Sequence, residues 1–144
     1  FIQNHREVLD AVPTINPVQG TPYRHITSYF GGRRDPFSRA RVYHSGLDIA
    51  DAAGSPILAS AAGTVRSAGW SGGYGFRVVI AHGFGYETVY GHLQSINVGT
   101  GQRIKRGQTI GRLGKTGRAT GYHLHYEVRV GGAVRVDPRN YILN

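Results

Sequence analysis

The chain has 144 residues, which suits one domain with a real core. It contains no Cys, which excludes thiol catalysis, disulfides and Cys-ligated zinc, and no apolar run approaches the roughly 20 residues that span a bilayer. The formal net charge of +9 admits attraction to nucleic acid, to an anionic membrane surface or to an anionic cell wall, and selects none of them.

Residues 1–16, FIQNHREVLDAVPTIN, space Phe1, Ile2, Val8, Leu9 and Val12 in a weak helical pattern that Pro13 stops. They read as a linker or as the end of an upstream helix, ahead of a domain over 17–144. The start at Phe1 without a signal peptide reads as a fragment or mature form of something longer. From Pro17 the pattern turns to β. HITSYF reads as a short strand and GGRRDPFSRARVY as an Arg-rich loop. GLDIA, PILA, GTVRSAG, FRVVIAH, GYETVYGHL, QRI, QTIGRL, YHLHYEVRV and AVRV follow as short strands between Gly-rich breaks. With 22 Gly and 6 Pro, helices of any length find little room. The fold class is therefore all-β, mainly antiparallel, as a compact sandwich or barrel-like scaffold.

Against that background the histidines stand out. In a strand, residues i and i+2 share a face, so TGYHLHYEVRV sets His123, His125 and Glu127 on one side and Leu124, Tyr126 and Val128 on the other. Two neighbouring imidazoles are costly to bury without partners. His44 precedes Asp48 by four residues, but Gly46 and the β-like LDIA argue against a helix face. The better picture is His44 at a loop, a turn around Ser45-Gly46, then Asp48 on the next strand. His92 closes TVYGHL, at the exit of a strand over 86–90, where its side chain can face a cleft. His5, His25 and His82 have no partner spacing. Zinc fits this inventory, since it takes His nitrogen and Asp oxygen, and a catalytic site uses three protein ligands and one open position. Four histidines and an aspartate exceed three ligands, and the surplus is what a hydrolase needs to move protons and steady an oxyanion.

HSGLDIA, GYGFRVVIAHGFGYETVYGHL, IKRGQTIGRLGKTGRATGYHLHYEVRV and VDPRNYI together resemble the lysostaphin/LytM-type zinc metallopeptidases, which cleave bacterial cell-wall peptides. The resemblance runs from about Pro17 to Leu143, with H-x-x-x-D and H-x-H intact and in order. It implies a scaffold of the duplicated-hybrid-motif type with a narrow active-site groove and the metal on its floor. It implies zinc ligation by His44, Asp48 and His125, and catalytic roles for His92, in the family's Tyr-x-His-Leu element, and His123. It further implies a peptidoglycan peptide substrate, with the D-alanyl–diaminopimelate bond favoured over a glycine bridge. The location would be extracytoplasmic, with anchoring through a missing N-terminal region and upstream domains absent from this chain. A monomer is favoured.

Around that set, Glu127 is weighed as an acceptor for a ligand's N–H against a strand-end surface carboxylate, and the surface reading is preferred. Tyr90 and Tyr122 are weighed as substrate contacts against half-buried strand tyrosines, again with the second preferred. Ser28 and Ser45 lack a base at motif spacing. GWSGGYG is either a mobile groove wall, with Trp70 as an aromatic contact, or a hairpin tip. Arg33, Arg34, Arg39 and Arg41 form a solvated loop or an anionic-wall contact. Three competing readings remain: a non-catalytic regulatory module of the same family, a biotinyl- or lipoyl-type carrier, and a nucleic-acid binder. Intact polar residues oppose the first. Lys105 and Lys115, the only lysines, do not sit at a carrier hairpin tip, and no nucleic-acid motif is present.

Overall fold

A computed structural model of the chain describes residues 10–19, 24–34, 41–131 and 134–142. The expectations for 1–9, for His5 and for the Arg-loop side chains lie outside the described residues. Twelve strands follow in order: β1 (His25–Ser28), β2 (Gly31–Arg34), β3 (Arg41–His44), β4 (Leu47–Ala50), β5 (Pro56–Leu58), β6 (Gly63–Trp70), β7 (Phe76–Gly83), β8 (Tyr86–Ile96), β9 (Arg103–Ile104), β10 (Thr109–Leu113), β11 (His123–Val130) and β12 (Val134–Val136). Short 3-10 turns occupy Gly72–Tyr74 and Pro138–Asn140. The sheet runs β1-β4-β11-β8-β7-β6-β9, with β10 on β5 and β8 and β12 on β11, and every pairing is antiparallel. The segment read as an Arg-rich loop instead contributes two strands, because Gly31–Arg34 pairs with Arg41–His44 as a separate hairpin. Its Gly- and Arg-rich sequence lacks alternation, and only the partner strand makes it β.

The alternation read from YHLHYEVRV holds. Leu124, Tyr126 and Val128 are fully buried in the core with Leu47, Ile49, Val78, Ile80, Tyr90 and Leu93. β11 lies between β4 and β8, so His125 stands opposite Asp48 on one side and Gly91 on the other. That register joins motifs distant along the chain.

His92 is not at a strand exit, as read from the sequence, but inside β8. Tyr86–Gly91 of β8 pairs with β11, whereas Leu93–Ile96 pairs with β10. His92 sits at this handover, with φ 63, in the left-handed region. The resulting bulge turns its side chain toward the cleft described below.

Tyr90 is wholly buried, so it meets no substrate. Its hydroxyl accepts from Ser60 N–H at 3.0 Å and lies 2.8 Å from Thr88 Oγ1, while Tyr126 OH donates to Ser60 Oγ at 2.7 Å. His82, unassigned in the sequence, ends this buried chain. Its Nδ1–H donates to the Ala62 carbonyl at 2.8 Å, which leaves Nε2 to accept from Thr88 Oγ1 at 2.6 Å. Burial pushes its pKa down to about 4. The unfolded chain therefore takes up this proton first as pH falls. The stabilisation is present above about pH 6.5 and is lost on the way down to pH 4. Between pH 7 and 4.5, urea melts should show wild type losing about 2 kcal/mol more than His82→Gln. Equal losses would refute this.

Candidate metal centre

His44 ends β3 and Asp48 lies in β4. Only Ser45 and Gly46 separate the two strands, so the turn brings both side chains to one place. A Cβ on Gly46 would fall 2.4 Å from the Tyr126 carbonyl oxygen, 2.9 Å from Glu127 Cγ and 3.1 Å from His125 Cε1, so only glycine lets β4 pass this close to β11. His44 Nε2 lies 3.3 Å from Asp48 Oδ2, and His125 Nδ1 lies 2.9 Å from Asp48 Oδ1. One ligand atom from each of the three falls within 4.8 Å of the others. His123 Nε2 is 3.8 Å from Asp48 Oδ1. The His92 ring is 4.8 Å from His123 and 6.0 Å from His125, centroid to centroid. All five residues, with Tyr74, Arg118 and Thr120, line an open cleft of about 640 Å³.

Each imidazole has one nitrogen occupied away from the centre. His44 Nδ1 meets the Tyr29 carbonyl at 3.0 Å, His92 Nδ1 the Thr116 carbonyl at 2.8 Å, and His123 Nδ1 the Gly121 carbonyl at 3.0 Å. His125 Nε2 meets Glu127 Oε2 at 2.8 Å. A carbonyl or carboxylate oxygen only accepts, so each of these nitrogens carries hydrogen and its ring partner is left facing the cleft. That is the arrangement by which metal-binding histidines are oriented. The donor set, two imidazole nitrogens and a carboxylate oxygen, fits a divalent cation such as zinc.

Charge supports the same reading. Burial opposes ionisation of Asp48, but its hydrogen bonds with His125 and His44 outweigh that and hold its carboxyl well below the usual range. Burial likewise disfavours a charged His125, yet Asp48 and then Glu127 lift it to about 9. A ring held this firmly in its protonated form stands between two carboxylates, where a cation would compete for the Nδ1 position. Burial, aided by the neighbouring imidazoles of His123 and His125, pushes His92 down, which favours its neutral form.

Residues 42–138 match the family model described as Peptidase family M23. The chain belongs to this family. M23 domains are metallopeptidases, and the lysostaphin/LytM likeness of the sequence motifs is the same relationship. The DD-carboxypeptidase/endopeptidase Mpg of Neisseria meningitidis is 44% identical over 110 residues, 76% of this chain and 25% of Mpg. The chain thus spans about a quarter of the length of the curated relatives it matches. A zinc-containing peptidase from Vibrio cholerae superposes with TM-score 0.81 at 40% identity, over 90% of this chain and 40% of the other. The catalytic domain of lysostaphin, an antimicrobial peptidase from Staphylococcus simulans, gives TM-score 0.74 at 29% identity, over 81% of this chain and 90% of the other.

Within this M23 domain the preferred reading of Glu127 is overturned. It is not a surface carboxylate but fully buried, 2.8 Å from His125. Ser45 donates to the same carboxylate at 3.0 Å. Tyr74, which the sequence did not single out, donates to it at 2.6 Å. Gly73 and Tyr74 line the cleft, so part of GWSGGYG is a groove wall, while Trp70 is 61% exposed and packs edge-on against Phe76. Tyr122 is exposed, beside Lys115.

Proposed function

We propose that this domain is a zinc-dependent endopeptidase that hydrolyses amide bonds in peptidoglycan cross-links or stem peptides, with the D-alanyl–diaminopimelate bond as its preferred target. The observation that carries the reading is the convergence of His44, Asp48 and His125 beside two further imidazoles at one cleft. Family membership and the DD-carboxypeptidase/endopeptidase activity in the name of the Neisseria relative support it. Such a substrate lies outside the cytoplasm, and the +9 charge is compatible with attraction to anionic wall polymer. Residues 17–144 would form the catalytic unit.

In this reading His44 would hold zinc through Nε2, His125 through Nδ1 and Asp48 through its carboxylate. The ion would supply Lewis acidity, polarising the scissile carbonyl and acidifying a water. The chain's own residues supply the rest. The neutral form of His92 is favoured, with Nδ1–H committed to Thr116, so Nε2 would present a lone pair toward the cleft and take up a proton. His123, with Nδ1–H committed to Gly121, presents Nε2 beside it in the same cleft. When protonated there, it donates to developing oxyanion charge or to the leaving amine.

Digestion of purified sacculi, followed by mass spectrometry of the soluble fragments, tests the proposal. Cross-linked dimers should be cut to monomers at the D-alanyl–diaminopimelate bond. A chelator should stop the cleavage and added zinc restore it. Zinc-loaded protein that leaves sacculi whole would overturn the assignment.

A further inference from the structure

We propose that Glu127 is a positioning residue for the metal centre: its Oε2 fixes the His125 ring so that Nδ1 faces His44 and Asp48. This rests on the reading of those three residues as metal ligands. Glu127 is fully buried, yet its carboxylate meets five donor side chains. Arg129 and Arg135 bind Oε1, at 2.9 Å and 3.1 Å, and turn Oε2 toward the ring. On Oε2, Ser45 Oγ and Tyr74 OH accompany His125 Nε2, so the turn after His44 and the groove wall both bear on the atom that orients the ligand. With Oε2 accepting, the hydrogen resides on Nε2 and Nδ1 is kept for the ion. Without it, either nitrogen can carry the hydrogen and the ring is free to turn.

A purely structural ion pair would have the same burial and the same arginines, and Glu87 provides the comparison. It too is buried and reaches Arg129, at 3.5 Å, but no ligand histidine touches it among the described contacts. Zinc affinity by chelator competition should be measured for wild type, Glu127→Gln, Glu127→Ala and Glu87→Gln, with urea melts of each apo-protein. Glu127→Ala should bind zinc about 10–100-fold more weakly. Glu127→Gln, whose amide oxygen still accepts from Nε2–H, should fall between it and wild type, and it carries the test if the alanine variant does not fold. Glu87→Gln should stay within about two-fold of wild type, and the visible spectrum of the cobalt form should shift only in the Glu127 variants. Wild-type affinity in both Glu127 variants, or equal weakening by Glu87→Gln, overturns the proposal. If wild type takes up no zinc, or His125→Ala takes up as much as wild type, the metal reading itself fails.

Discussion

His123→Ala is expected to lower kcat/KM for a cross-linked muropeptide by about 10²–10³-fold while metal content stays at the wild-type level. His125→Ala is expected to lose both. The two residues are neighbours on one face of β11, so sequence position does not separate them. Geometry does. His125 Nδ1 lies 2.9 Å from Asp48 and belongs to the set whose ligand atoms sit within 4.8 Å of each other. His123 Nε2 is 3.8 Å from Asp48, and its ring lies tilted beside His92, 4.8 Å away between centroids, so it adjoins the set without joining it. Losing one preorganised donor from such a cleft typically raises a barrier by about 2.7–4 kcal/mol, whereas losing a ligand removes the charge on which the chemistry depends. Metal analysis alongside turnover reads both effects. Metal loss in His123→Ala would mean that the two histidines have exchanged roles.

Gly46→Ala is expected to destabilise the fold by about 3 kcal/mol, the upper end for overpacking, and to weaken metal binding as well. The added methyl would lie 2.4 Å from a backbone oxygen of β11, which cannot swing aside as a flexible side chain would. Relief requires β4 and β11 to separate, and that separation moves Asp48 from His125 across their shared register. Gly99→Ala, at a position with no heavy atom within 4 Å, should change stability by no more than about 0.5 kcal/mol. Urea melts of the two variants make the comparison. Similar midpoints would show that the strands accommodate the methyl.

Much of this was legible in the sequence because it is periodic or local. Alternation fixed which residues of β11 face the core, and the short link from His44 to Asp48 could only be a turn. What escaped depends on partners far along the chain. Glu127 was placed on the histidine face correctly, but its burial comes from Tyr74, 53 residues away, and from two arginines that reach over it. The strand over 86–90 read as ending before His92, yet β8 continues past it because β10 replaces β11 at its edge. No pattern within TVYGHL records that exchange of partners.

The oxygens that orient the four rings, three carbonyls and one carboxylate, come from different stretches of chain. Thr116 and Gly121, which serve His92 and His123, share the crossing between β10 and β11, whereas Tyr29 and Glu127 serve His44 and His125. On the proposed roles, changes confined to that crossing would disarm proton handling and spare ion capture. If the proposed activity holds, a descendant of this scaffold would have a short mutational path from cutting its target to merely gripping it.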